Sequence, residues 1–413
     1  MKEKVERRRT IRFAIFLVMP FALMFTGLAC FGNYSAAGAT SGQIVTSANT
    51  ASSEPVGALI PAMIGIHMVS STTGWAWSLT QVFRTHDAGR TWQVVTPHAV
   101  PSFNLFQSAS TPQDVKNGTA FFVHSNDAWF LQSWFPNSGP IYGGVIRVFR
   151  TTDGGKTWTY ATIRNPGYAN EANGAVYFLN QRDGWILTYG RGNEEATLWH
   201  TTDGGQLWSV LSHMSAAAVG MGAIFSSGTT AWLAYTENPG RLIIEQSDDG
   251  GRKRAPMPIQ PSFSMSRCDL VNWDPVVLGP DAIDVPFQRT CRVRPGIAFA
   301  VTRDGGTSWR FGAGLPLASD GLLAQYDFLS PSDIWLANGQ DLYRSVDGGL
   351  TWRWIPAAGG AWRFVRADPS NGVYALSAVS MKIAWALVSG PRGRSVALIE
   401  TIDGGTHWFT VGA

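Results

Sequence analysis

One eight-residue pattern, Ser/Thr-x-Asp-x-Gly-x-Thr-Trp, recurs along this chain, and it constrains the fold more tightly than any other feature. The first copy runs Thr85-His86-Asp87-Ala88-Gly89-Arg90-Thr91-Trp92, and five more end at Trp158, Trp208, Trp309, Trp352 and Trp408. A worn copy begins Ser247-Asp248-Asp249-Gly250-Gly251 and has Lys253-Arg254 in place of Thr-Trp. Successive aspartates are between 43 (Asp304 to Asp347) and 66 (Asp87 to Asp153) positions apart. A second element keeps phase with the first: an apolar run, a short polar turn, then a strand centred on Trp75, Trp129, Trp185, Trp232, Trp335 or Trp385. In the fifth unit Ile283 is expected where Trp335 stands in the sixth.

Self-similarity at this period means stacked supersecondary units, none of which can bury its apolar faces alone. Each unit reads as four short strands: an apolar strand A such as Val176–Leu179, a tryptophan strand B, a strand C such as Val145–Phe149, and a strand D that starts at the second tryptophan. The expected fold is therefore all-β, a seven-bladed β-propeller of four-stranded antiparallel blades over residues 57–413. The repeated octapeptide is the C–D hairpin turn. Its aspartate (Asp87, Asp153, Asp203, Asp249, Asp304, Asp347, Asp403) accepts backbone N–H bonds within the turn, and its glycines permit positive φ. Seven equivalent copies argue against a catalytic or metal role, since a propeller has one axis. The units begin with strand A and end with strand D, so little strand exchange is expected at ring closure, although Val56–Ile60 is a candidate for an added outer strand.

The N-terminus carries most of the basic character. Lys2, Lys4, Arg7, Arg8, Arg9 and Arg12 outnumber Glu3 and Glu6 by four, which leaves −1 of the chain's net +3 for the body. Nucleic-acid binding by the whole protein is thereby excluded as an expectation, since it needs a basic body. After Arg12 an apolar run extends from Phe13 to Ala29, which makes residues 1–30 a signal peptide or membrane anchor. Residues 31–56, rich in Ala, Ser, Thr and Gly, read as a flexible linker. Cys268 and Cys291 form a candidate disulfide in an extracytoplasmic compartment. No histidines near them complete a metal set, so no metal and no cofactor is expected.

Two resemblances add to this reading. Gly27-Leu28-Ala29-Cys30 resembles a bacterial lipobox, with Gly27 where the family pattern has Leu, and implies lipidation of Cys30. An uncleaved anchor and simple secretion stand as alternatives. The octapeptide resembles the Asp-box, or BNR, repeat of sialidases, of sortilin-type receptors and of the photosystem II stability and assembly factor family. Gly74-Trp75-Ala76-Trp77 followed by Phe83-Arg84-Thr85-x-Asp87 is most similar to the assembly-factor-like group. That resemblance implies an exported propeller that binds a membrane protein during its assembly and is not an enzyme.

Topology says where a site belongs. A–B and C–D turns share one face of a propeller, here the box face. B–C loops and D–A connections share the other, the loop face, where function concentrates. Candidate binding residues there are Arg191, Arg289, Arg292, Arg294, Arg392 and Arg394, with Trp134 and Phe135. In the assembly-factor family an arginine-rich surface contacts the client, and these arginines are similar in kind. A sialidase needs an Arg-Ile-Pro motif before the first box, and none occurs. A glycoside hydrolase needs two carboxylates facing one cleft, and no spacing singles out a pair. No catalytic residue is expected. The reading is a monomeric, membrane-anchored, extracytoplasmic module that binds a membrane or cell-surface protein client. The alternative is a carbohydrate-active propeller, acting as lectin or hydrolase on a glycan.

Overall fold

A computed structural model describes residues 43–48, 63–97, 120–134, 145–164, 174–189, 195–215, 219–225, 229–237, 241–253, 255–257, 268–272, 276–279, 281–291, 296–316, 324–367, 371–389 and 396–412. The described strands group into seven antiparallel sheets, and apart from one added edge strand each sheet takes its strands consecutively from the chain. The protein is a seven-bladed β-propeller. In blade 3 the order is Gly174–Phe178, Gly184–Tyr189, Glu195–Thr201 and Ser209–Ser215. The central strands have both faces covered, so they read as continuous apolar runs, not as alternating ones. In blade 5, Gly296–Thr302 is buried at every position.

The core lies in the seams between blades. Trp75, Val82 and Val95 of blade 1 pack with Phe130, Phe149 and Trp158 of blade 2. Trp129 of blade 2 stacks on Phe178 of blade 3 at 4.0 Å. Burying one such indole removes up to 250 Å² from water, roughly 4–6 kcal/mol per ring. Among the described residues no strand is exchanged between blades 7 and 1. Blade 7 (Val373–Ala378, Ala384–Ser389, Val396–Thr401, Phe409–Thr410) closes on blade 1 (Gly65–Met68, Gly74–Trp77, Val82–Thr85, Gln93–Val94) through side chains. Trp385 Nε1 donates to Ala88 O at 3.1 Å, Tyr374 Oη to Met63 O at 2.8 Å, and Met68 N to Ser377 Oγ at 2.8 Å.

Three features depart from a plain array of four-stranded blades, the first a fifth strand in blade 5, Val276–Val277, which pairs with Ile283–Cys291 as Cys268–Asn272 does. Gln43–Ala48, inside the stretch read as a linker, adds a fifth strand to the outer edge of blade 2 and pairs antiparallel with Thr157–Arg164. Val56–Ile60 lies outside the described residues. A short helix, Gly360–Arg366, interrupts the all-β pattern between blades 6 and 7 and packs its Trp362 against Trp408 at 5.3 Å.

Register corrects one expectation. In blade 6, Ile334 pairs with Ser345 of the box and Trp335 with Arg344. In blade 5, Ile283 pairs with Thr302 of the box and Asp284 with Val301. Asp284, not Ile283, therefore stands at the tryptophan position. Successive strand residues face opposite sides of a sheet, so a one-residue slip in the reading exchanges an apolar side chain for a charged one at the seam.

Candidate functional site

The boxes are structural throughout. In every copy the Ser or Thr hydroxyl donates to the Asp carboxylate at 2.8–3.0 Å. The carboxylate accepts the amide four residues on, also in the worn copy, where Lys253 N donates to Asp249 at 2.8 Å. Hydrogen bonds hold the carboxyls of Asp249 and Asp304 below their ordinary value. In Asp87, Asp153, Asp347 and Asp403 burial acts the other way, and the same bonds overcome it. The residue after the aspartate is tied to its own A–B turn: Ala88 N donates to Thr72 O, Gly154 N to Asn126 O and Gly404 N to Lys382 O, all at 2.8–3.0 Å. Box and A–B turn thus share one face. Ala88 holds φ 64°, a value its glycine counterparts adopt freely.

Sequence reasoning missed a set of arginines that cross the seams on this face. Arg84, Arg150 and Arg344 each precede the box Ser or Thr and lie over the strand-B tryptophan of the same blade, at 4.2, 5.6 and 5.4 Å from Trp75, Trp129 and Trp335. Each then reaches the next blade's A–B turn: Arg84 to Asn126 Oδ1 at 3.3 Å, Arg150 to Gln181 O at 3.0 Å, Arg344 to Met381 O at 2.6 Å. The signal was in the sequence as Arg-Thr-x-Asp and Arg-Ser-x-Asp, but its partner lies a blade away. Blade 5 lacks both members of this pair and has Asp284 and Val301 instead. Arg303, inside the box, takes over. It forms a bidentate ion pair with Asp284, which has no exposed surface, and donates to Pro331 O of blade 6 at 2.5 Å. Burial pushes Asp284 up to about 6 against the hydrogen bonds and charge of Arg303.

Titratable groups on the inner strands are also absorbed by seams. His67 stacks on Phe122 of blade 2 at 4.6 Å, and burial, followed by the charge of Arg84, lowers it to about 4. Tyr177 meets Phe121 edge-on at 4.9 Å. Asp327 of blade 6 accepts the Ala378 amide of blade 7 at 2.6 Å, and burial pushes it up to about 7 against that bond. Asp127, Asp183 and Asp333 sit in A–B turns as expected; Asp127 takes His124 Nδ1 at 2.9 Å and Gln181 Nε2 at 2.7 Å. His124, Asp127 and Gln181 line a shallow box-face groove of about 510 Å³ between blades 2 and 3, with Asn126, Asn180 and Arg182. Among the described residues no three His, Cys, Asp or Glu side chains are grouped to hold a metal.

A pH prediction follows from Asp327. Its carboxyl binds a proton more tightly folded than unfolded, so between about pH 4 and 7 the folded state holds the extra proton and stability falls as pH rises. His67 has the opposite sign over pH 4 to 6.5, so wild type alone does not isolate the effect. Asp327→Asn keeps the acceptor for Ala378 and removes the titration. Its stability relative to wild type is expected to grow between pH 5 and pH 8 in urea unfolding; a constant difference would refute the assignment.

The loop-face candidates are placed by the backbone alone. Trp134 ends strand B of blade 2 opposite Val145, and Arg289 lies near the end of strand B of blade 5 opposite Gly296 and Leu270. Phe135, Arg191, Arg292, Arg294, Arg392 and Arg394 fall outside the described residues, in B–C connections of blades 2, 3, 5 and 7, as Cys30 falls outside them at the N-terminus. The strands feeding those connections end on one face, opposite the boxes. Cys268 and Cys291 are direct cross-strand partners on Cys268–Asn272 and Ile283–Cys291 of blade 5, at its loop-face end.

No protein-family model and no curated protein matches the chain. Among solved structures, one of YCF48 bound to D1 peptide has 17% identity and a TM-score of 0.49, covering 83% of this chain and 93% of that one. The GH74 xyloglucanase from Xanthomonas campestris has 14% identity and a TM-score of 0.54, covering 87% of this chain and 55% of the enzyme. The Hadza microbial sialidase Hz136 has 16% identity and a TM-score of 0.35, covering 58% and 57%. At these identities the likeness is one of fold. The chain is a seven-bladed β-propeller whose structural neighbours include YCF48, a xyloglucanase and a sialidase.

Proposed function

We propose that this protein is a non-catalytic binding propeller, held at the outer side of a membrane by residues 1–30, that docks a protein client on its loop face. One observation supports the reading: among the described residues the carboxylates of the box turns, of the A–B turns and of the seam residues Asp284 and Asp327 are hydrogen-bonded within the scaffold. The loop-face arginines suit recognition, since a guanidinium offers five donors in a planar fork to acidic or carbonyl groups of a client. Crosslinking of the tagged full-length chain in its native membranes tests this. A discrete protein partner is expected with wild type and is expected to be lost when Arg289, Arg292 and Arg294, or Arg392 and Arg394, become alanine. Binding of a defined glycan by wild type, with no protein adduct, would overturn the reading in favour of a carbohydrate-active propeller.

The extracytoplasmic setting has its own test. Direct cross-strand partners in an antiparallel pair lie within the Cα separation a disulfide requires, so we propose that Cys268 and Cys291 are bridged by an exported oxidant of the dithiol–disulfide class. The bridge encloses residues 269–290, and reduction is expected to cost about 3 kcal/mol of unfolding free energy by loop-closure entropy. Urea melts with and without dithiothreitol, beside Cys268→Ser, measure it. Two thiols titrating freely in the untreated protein would sink the bridge.

A further inference from the structure

The box-face groove between blades 2 and 3 is walled by two A–B turns, residues 124–127 and 180–182, and by Thr152 of the blade 2 box. Gln181 crosses the seam and ties the two turns together. Its Nε2 donates to Asp127 Oδ2 at 2.7 Å, beside His124 Nδ1 at 2.9 Å. The equivalent positions at the seam of blades 6 and 7 are Asp333 and Met381, whose side chain has no donor. Asp127 is 2% exposed, and its second oxygen, Oδ1, is buried and accepts no hydrogen bond. A buried acceptor left without a donor is costly, and in a native structure it calls for a partner.

The side chains around that carboxylate keep much of their hydrogen-bonding capacity. His124 is exposed and retains Nε2 after its bond to Asp127. Asn126 gives Oδ1 to Arg84 and retains its Nδ2 donors. Gln181 retains Oε1 as an acceptor. Arg182 uses Nε on Thr202 O at 3.3 Å and retains both terminal nitrogens. Ser125 and Thr152 add exposed hydroxyls. Among the described residues no apolar side chain lines the groove, whereas a pocket for a lipid or an apolar cofactor is built mainly of them. One guanidinium and one carboxylate balance within it, so an anionic ligand gains at Arg182 what it loses at Asp127. A sugar hydroxyl is donor and acceptor at once, and it matches a set in which both are offered side by side.

We propose that this groove is a carbohydrate site, in which a hydroxyl of a neutral hexose or N-acetylhexosamine unit donates to Asp127 while Arg182 and Asn126 donate to neighbouring oxygens of the sugar. A shallow groove of about 510 Å³ holds a few units of a chain along one side and does not enclose a free monosaccharide. The site binds and does not cleave: among the described residues Asp127 is the one carboxylate that lines it, and glycoside hydrolysis needs two. It lies on the face opposite the loop-face arginines, and it does not depend on the protein client proposed above.

The test uses full-length protein in mild detergent. It is probed on immobilised neutral oligosaccharides of glucose, galactose, mannose and N-acetylglucosamine, with sulfated heparin fragments as the anionic contrast, and the sugars that bind are then titrated calorimetrically. A shallow site open to water implies dissociation constants of about 0.1–1 mM. Arg182→Ala, which removes a charged donor, and Thr152→Trp, which fills the groove, are each expected to weaken binding about tenfold or more. Both residues are exposed, and the position of Thr152 is held by Val346 and Ile402 in blades 6 and 7, so the fold tolerates a large side chain there; an unchanged urea midpoint checks this. Ile402→Trp, the matching change in blade 7, is the control and is expected to bind as wild type does. Wild type that binds none of the neutral sugars, or binds the heparin fragments alone, overturns the proposal. So does an affinity that survives both groove variants, or one that falls as far in Ile402→Trp. Crosslinking of a protein client is read separately, so failure of that reading and failure of this one are told apart.

Discussion

Replacing Arg303 with alanine is expected to destabilise the propeller by about 3 kcal/mol, which strands the carboxylate of Asp284 at the seam between blades 5 and 6. Breaking one side of a buried ion pair costs more than the pair contributes, since the charge left behind has lost water and gained nothing. Arg303 is partly exposed while Asp284 is not, so the penalty falls on the aspartate. The same change removes the donor to Pro331 O, the contact through which blade 5 does what Arg344 does for blade 6 at Met381 O. The double variant Asp284→Leu/Arg303→Leu is expected to cost clearly less than Arg303→Ala, because it removes the charge with its partner. Urea unfolding of the three proteins decides: a cost below about 1 kcal/mol for Arg303→Ala would mean that the pair does not hold the seam.

Truncating Trp385 to alanine is expected to cost about 4 kcal/mol, the upper range for a buried aromatic, through lost transfer energy and the cavity left behind. The position matters because among the described residues no strand is exchanged between blades 7 and 1, so side chains join them. Blades 7 and 1 meet through Trp385, Met63, Phe83, Leu387 and Leu398 in one cluster, with Trp385 Nε1 on Ala88 O. Truncation removes the ring and orphans a carbonyl in a box whose Ala88 already holds positive φ. Trp354, half exposed at the outer edge of blade 6 with its Nε1 on Asp341, is the control and is expected to cost below 1 kcal/mol. Equal costs at the two positions would refute a seam-borne closure.

The difference between Trp385 and Trp354 illustrates how far the chain could be read unaided. Trp385 belongs to the phased repeat, and the phase alone put it in the core. Asp87 and its six equivalents were legible as turn residues for the same reason, and even the worn copy kept its turn, because the motif closes through contacts no more than four residues apart. Asp284 was misread because linear pattern matching aligned Ile283 with a tryptophan, while hydrogen-bond register moved the match by one residue and so to the other face of the sheet. Arg84, Arg150 and Arg344 were visible as residues but not as staples, since their acceptors sit one blade further along. The Ala-, Ser-, Thr- and Gly-rich stretch 31–56 reads as a tether by composition, yet Gln43–Ala48 within it finds an edge whose length no local signal revealed.

What the amino-acid sequence determined by itself was therefore the unit, its number and its turns: local chemistry repeated seven times in one phase admits a single closed array of blades. Only the tertiary structure decided which side chains cross the seams, how blade 5 replaces a tryptophan–arginine pair with Asp284 and Arg303, where the ring closes, and which blade edge Gln43–Ala48 joins. Those are contacts between residues tens to hundreds of positions apart. Their energies depend on burial and register, which exist only once neighbouring blades have packed.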